Sequence, residues 1–191
     1  CLGLLSTLTG AWTGLNQTQM RKIMAASSIA HMGWMITAVT LQQSIVIVAF
    51  TVYIILTTSI FATMLSTSTK TLKDLGTVWT MTPPLLTSAL MTMMSLGGLP
   101  PLTGFMPKWL VLKQLTFGNL TPLSTMLALS SLPSLYFYIR MTYLTVLTSL
   151  PNTTNTEQNW RFKVRYHVIL PLMLILSMTL LPMTPLMFMM S

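Results

Sequence analysis

Six apolar segments dominate the chain: Leu2–Leu15, Ile23–Leu41, Ile45–Leu65, Pro84–Leu115, Pro122–Leu150 and Val168–Met190. A helix needs about 20 apolar residues to cross the hydrocarbon of a bilayer, and most of the segments reach that length. Runs this long do not fit a water-soluble core, whose helices carry a polar face as well. The pattern predicts an all-α integral membrane protein with about six transmembrane helices in a single transmembrane domain, residues 1–191. The helices are expected at approximately 1–15, 23–41, 45–65, 84–117, 122–150 and 168–190. The first is short, as a membrane helix entered part-way along would be.

Charge is scarce. Only 6% of residues are charged, against about a quarter in a soluble domain. Ten Lys and Arg outweigh two Asp and Glu, giving a net charge of +8. Seven of the ten basic residues lie in three connections: Arg21 and Lys22; Lys70 and Lys73; Arg161, Lys163 and Arg165. The alternate connections, Gln42–Ser44 and Gly118–Thr121, carry no charge. Alternating spans place the three basic connections on one side, which the positive-inside rule assigns to the cytoplasm-like face, with the carboxyl terminus opposite. The basic excess thus serves topology and contact with anionic phospholipid. No basic patch interleaved with aromatics points to nucleic acid. The lone Cys1 can form no internal disulfide. No phosphate loop, Cys-x-x-Cys pair or histidine ligand set is present, so no metal, flavin, haem or iron–sulfur site is expected on this chain.

The fourth segment is too long for one straight span. Its thirty-odd residues would extend about 50 Å as a helix, whereas the hydrocarbon is about 30 Å thick. A break is expected at Gly97, Gly98, Pro100 and Pro101 within "SLGGLPPLTGFMPKW", Ser95–Trp109. Irregular backbone at membrane depth persists only where protein buries it or water reaches it. In discontinuous helices the freed backbone groups orient ions and water.

Ionisable residues inside spans are functional candidates by default. Lys108 follows the break and is the sharpest of them, since a desolvated lysine can exchange its proton; the alternative is a side chain that reaches for the headgroups. His31, in "SSIAHMGWM", either relays protons or is a neutral group bonded to Ser27 or Ser28. Arg140, in "YFYIRM", keeps its proton and reads as a structural or lipid contact. Lys113 lies near its segment's end and can snorkel to the interface. The 18 methionines and the many threonines read as gap-filling and helix back-bonding residues. Three Asn-x-Thr triplets, at Asn16, Asn119 and Asn152, read as chance matches.

The stretches "LNQTQMRKIMAASSIAHMGWM" (Leu15–Met35) and "SLGGLPPLTGFMPKW" closely resemble the chain 2 family of mitochondrial NADH dehydrogenase (ubiquinone), antiporter-like membrane subunits of respiratory complex I. "LYFYIRM" (Leu135–Met141) and the last apolar segment agree with it, and the methionine and threonine excess looks like that of a protein encoded in a mitochondrial genome. The resemblance implies two inverted repeats, each with one discontinuous helix; this chain looks like the second repeat plus a final helix, without the amino-terminal half. It implies that Lys108 is the lysine of the second discontinuous helix and that His31 lies on the polar axis of the membrane arm. The remaining essential charges, a glutamate and further lysines, would lie upstream of Cys1.

The function implied is proton translocation within NADH:ubiquinone oxidoreductase, in the mitochondrial inner membrane. Basic loops would face the matrix and the carboxyl terminus the intermembrane space. NADH, FMN, iron–sulfur clusters and ubiquinone would be bound by other subunits. Partners would be other membrane-arm subunits and phospholipid, cardiolipin in particular. The rival expectations are a membrane-arm scaffold without its own proton path, and a stand-alone cation/proton antiporter-like transporter.

Overall fold

A computed structural model of the chain describes residues 1–148 and 170–179. Among the described residues the structure is helical: α1 (Leu2–Gly14), α2 (Met20–Val39), α3 (Gln43–Thr67), α4 (Leu72–Met81), α5 (Pro83–Gly97), α6 (Phe105–Phe117), α7 (Thr121–Thr148) and α8 (Leu170–Thr179). The basic connection Pro151–His167, with Arg161, Lys163 and Arg165, lies outside the described residues, as do both ends of the last apolar segment.

Between lipid-soluble helices burial of apolar area gives little net drive, so close packing carries association. Helices α1 and α2 meet through small residues. A Cβ on Gly10 would lie 2.5 Å from the backbone nitrogen of Ala30 and 2.8 Å from the carbonyl of Ala26. Only a glycine lets the two backbones approach so closely.

Serine and threonine hydroxyls bond back to carbonyls three or four residues earlier along nearly every helix, as with Thr58 to Ile54 at 2.7 Å and Thr63 to Ile60 at 2.7 Å. These residues thereby sit in apolar helices without unpaired donors. Outward faces remain apolar: Leu2, Trp12, Leu65 and Tyr143 are each more than 60% exposed. Such side chains on several helices require lipid or protein neighbours.

The two basic connections described lie at one end of the bundle. Met20 N donates to Lys70 O at 3.1 Å and Leu72 N to Thr18 O at 3.2 Å, pairing the α1–α2 loop with the α3–α4 loop. At the same end Arg140 of α7 donates to the carbonyl of Leu15. The α2–α3 and α6–α7 turns, which carry no charge, form the opposite end.

One expectation is corrected. Residues 66–83 read from sequence as a connection, yet they contain the ten-residue α4. Its start is a capping box: Thr71 Oγ1 accepts from Asp74 N at 3.4 Å, and the Asp74 carboxylate accepts from Thr71 N at 2.8 Å. That reciprocal pairing satisfies donors a helix start leaves open. Lys70 and Lys73 mark this stretch in sequence as a basic connection, whereas the Thr-x-x-Asp spacing of Thr71 and Asp74 is the signal for a helix start. By length and hydropathy, α3 is the one described helix able to cross a membrane unaided, with a mean hydropathy of 2.4.

Candidate functional site at the helix break

The fourth apolar segment is interrupted where sequence places the break. α5 ends at Gly97, residues 98–104 are non-helical, and α6 begins at Phe105. The chemistry of the interruption is local. In a continuous helix the carbonyls of Leu96 and Gly97 would accept from residues 100 and 101. Both are prolines and have no N–H. Gly98 then turns the chain with φ 86°, a left-handed conformation suited to glycine. Gly97 is buried, whereas Pro100 and Pro101 lie exposed on the turn.

The broken segment is tied down by hydroxyls. Ser95 Oγ and Thr103 Oγ1 share a hydrogen bond of 2.8 Å, and Gly104 N donates to Ser95 Oγ at 3.1 Å. Thr103 Oγ1 also donates to Ser177 O of α8 at 3.2 Å. All three polar side chains are buried. A sequence reading centred on glycine and proline missed Ser95 and Thr103; their spacing across the break was the available signal.

Lys108 lies in the first turn of α6 and reaches back across the break. Its Nζ donates to Gly97 O at 2.9 Å, the carbonyl that Pro101 leaves unclaimed. The ammonium thus sits at the carboxyl end of α5, where helix dipole and free carbonyls favour a cation. It lies 6.0 Å from the centre of the Trp34 ring. A Cβ on Gly98 would come within 2.9 Å of Nζ, so a second requirement for glycine coincides with the first.

Lys108 and His31 line one cavity of about 30 Å³, together with Trp34, Tyr53, Leu56 and Gly104. That volume accommodates one or two water molecules. The cavity falls between two core clusters. One packs α5 against α2, α3 and α7 through Met24, Leu56, Leu96 and Tyr138. The other packs α6 against α2 and α7 through Trp34, Val111 and Leu127. The break therefore lies at the seam, where polar backbone and water can coexist. His31 stacks at a tilt on Tyr53, ring centres 5.1 Å apart. Tyr53 was also missed from sequence, although a lone tyrosine in the middle of the apolar α3 was visible.

The remaining candidates lie elsewhere. Lys113 is exposed, its Nζ 5.3 Å from the Trp109 ring and 5.7 Å from the Phe117 ring. Arg140 is half-buried at the basic end, on Leu15. Among the described residues no group of histidine, cysteine and carboxylate side chains is placed to hold a metal ion.

A family model described as NADH:quinone oxidoreductase/Mrp antiporter, TM, matches residues 1–134. One described as NADH dehydrogenase subunit 2 C-terminus matches residues 135–188. NADH-ubiquinone oxidoreductase chain 2 of Xenopus laevis is 48% identical over 186 residues, covering 97% of this chain and 54% of that protein. The Bos taurus chain 2 is 45% identical over 185 residues, 96% of this chain and 53% of that protein. The chain spans about half the length of the curated relatives it matches. In fold it is similar to a chain of respiratory complex I from Thermus thermophilus, with a TM-score of 0.78, 23% identity, and coverage of 98% of this chain and 43% of that one. It is also similar to a chain of the Mrp complex from Dietzia, with a TM-score of 0.72, 12% identity, and coverage of 98% and 45%. The long irregular break, the cavity lysine and both family matches agree: the chain belongs to the NADH:quinone oxidoreductase/Mrp antiporter transmembrane family, its last part matching the carboxyl terminus of NADH dehydrogenase subunit 2.

Proposed function

We propose that this chain contributes a proton-translocation step to NADH:ubiquinone oxidoreductase, as the carboxyl-terminal part of an antiporter-like membrane subunit. The observation that carries the reading is the Lys108 ammonium bound to Gly97 O beside a cavity with room for water. A lysine in that setting can bind and release a proton as nearby charges change. His31, in the same cavity, is the next group in line. Electron transfer from NADH to ubiquinone would proceed on other subunits, which would bind the NADH, FMN, iron–sulfur clusters and ubiquinone. Charge changes there would reach Lys108 through the neighbouring membrane-arm subunits.

Six spans follow from the apolar segments, with α5 and α6 together forming one discontinuous crossing. The shared end of the two hydrogen-bonded basic loops supports a matrix location for Arg21, Lys22, Lys70 and Lys73, with the carboxyl terminus in the intermembrane space. The membrane is then the mitochondrial inner membrane. Its anionic phospholipids, cardiolipin among them, would meet that basic end.

The test is Lys108→Met in the complete, assembled complex, reading the ratio of protons pumped to NADH oxidised. A lowered ratio supports the reading; an unchanged ratio overturns it. Loss of the complex, with no assembled but uncoupled species in any charge-neutral variant at Lys108, supports a scaffold role instead.

A further inference from the structure

The basic end of the bundle holds a pocket that the Lys108 site does not explain. Gln19, Arg21, Lys70 and Thr71 line an open hollow of about 300 Å³, against about 30 Å³ for the Lys108 cavity. Its two cations come from separate connections, which the backbone joins. Met20 N donates to Lys70 O and Leu72 N to Thr18 O, around a bridge between Gln19 and Thr71. No acid lines the hollow. The chain has two acids, and Glu157 lies outside the described residues. The other, Asp74, accepts from the amides of Lys70 and Thr71 at 3.0 and 2.8 Å. One carboxylate offsets at most one of the two charges, and the exposed Lys22 beside Arg21 adds a third cation. Topology asks for basic residues on this side of the membrane. It does not ask for two of them in one hollow, where like charges repel.

An apolar stripe leads to the same end. On α3, Ile47, Phe50, Ile54, Phe61 and Leu65 are each at least 41% exposed. Their spacing of three, four and seven residues places them on one face of the helix. Val48, Val52, Leu56 and Ile60, on the other face, are buried in the core. From Ile54 to Leu65 is eleven residues, or about 16 Å. That depth is close to one leaflet of a hydrocarbon layer about 30 Å thick. Leu65 lies five residues before Lys70. A cationic hollow at the end of an apolar face one leaflet deep suits an amphiphile with an anionic head. A soluble anion would use the hollow and leave the stripe bare.

We propose that Arg21 and Lys70 seat the headgroup of an anionic phospholipid whose acyl chains lie on α3 between Ile54 and Leu65. The guanidinium of Arg21 offers a planar fork that matches two phosphate oxygens, and Lys70 offers a point charge. The bound phosphate neutralises cations that two loops bring together, and so fastens the start of α2 to the end of α3. The site deepens the lipid contact proposed above. It rests on the membrane placement given there and not on proton transfer at Lys108.

The experiment uses the complete complex in phosphatidylcholine vesicles that contain a small fraction of phosphatidylglycerol with a photoactivatable diazirine in its acyl chain. Parallel vesicles carry the same diazirine on phosphatidylcholine. The expected result is that phosphatidylglycerol labels Ile54–Leu65 several-fold more than phosphatidylcholine does, and that Arg21→Gln with Lys70→Gln abolishes the preference. Equal labelling by the two lipids overturns the site, as does a preference that survives the double variant. Loss of the preference on adding inorganic phosphate at fixed ionic strength assigns the hollow to a free anion and overturns the lipid. Carbodiimide coupling of Lys70 to a carboxylate of another subunit makes it a protein interface and also overturns the lipid. Where the double variant does not assemble, competition on the wild-type complex decides: unlabelled phosphatidylglycerol must suppress the labelling and unlabelled phosphatidylcholine must not. Protons pumped per NADH, read for wild type and Lys108→Met in the same vesicles, show separately whether the proposed function fails.

Discussion

Lys108 Nζ is bonded to the carbonyl of Gly97 at 2.9 Å, across the break that separates them. The bond exists because Pro101, four residues after Gly97, has no N–H with which to claim that carbonyl. The prolines thus do more than interrupt a helix. They release an acceptor on the buried Gly97, and the first turn of α6 returns a cation to it.

Gly98 should tolerate no side chain. Its φ of 86° costs a non-glycine residue about 1–2 kcal/mol. Its Cβ would also stand 2.9 Å from Lys108 Nζ. Gly98→Ala is expected to displace the lysine, so that pumping per NADH falls more steeply than the yield of assembled complex. Measuring both in one preparation separates the two effects; equal small losses would contradict the account.

Ser95 holds the break through Thr103 Oγ1 and Gly104 N. Ser95→Ala leaves the buried Gly104 amide unsatisfied, at a cost of about 1–3 kcal/mol. The expected readout is faster amide hydrogen exchange confined to residues 98–104 and the first turn of α6. Unchanged exchange there would show that Ser95 does not anchor the segment.

The α1–α2 contact depends on small residues. Gly10→Val would place atoms against Ala30 N and Ala26 O, which cannot move without shifting α2. Overpacking of this kind costs about 1–3 kcal/mol. A lowered midpoint of thermal dissociation of the assembled complex is expected, with pumping per NADH retained in the molecules that assemble.

The start of α4 should depend on pH through Asp74. Hydrogen bonds from the amides of Thr71 and Lys70 hold its carboxyl below the ordinary value of 3.8. Because the folded value is the lower one, the contribution of the cap is complete above the ordinary value and is lost as pH falls through the folded one. The protection of the Leu72–Met81 amides, taken as the exchange rate relative to the intrinsic rate at each pH, is expected to stay constant from neutral pH down to about pH 4 and to fall below it. In Asp74→Asn the lower protection should already be present at pH 7.

Much of this arrangement was readable in the residues. Length arithmetic required a break in the fourth segment, and the glycine–proline cluster located it where the structure breaks. Charge alternation grouped the basic loops before the Met20–Lys70 hydrogen bond joined two of them. What stayed hidden depended on neighbours remote in sequence. Tyr53 and Tyr138 are ordinary aromatics in apolar runs until packing brings one onto His31 and the other against Gly97. Arg140 read as an intramembrane charge, because residue spacing does not reveal that α7 brings it to Leu15 at the basic end. α4 was hidden by its brevity, since ten residues fall short of a span and only the capping box marks them.

The central claim is that Lys108 exchanges a proton rather than simply holding a charge at the break. Lys108→Arg tests it most directly, because arginine keeps the cation and its donors but does not release a proton in proteins. In the assembled complex, the account predicts that Lys108→Arg lowers the ratio of protons pumped to NADH oxidised as far as Lys108→Met does. A wild-type ratio in Lys108→Arg would contradict it, reducing Lys108 to a fixed charge that caps α5.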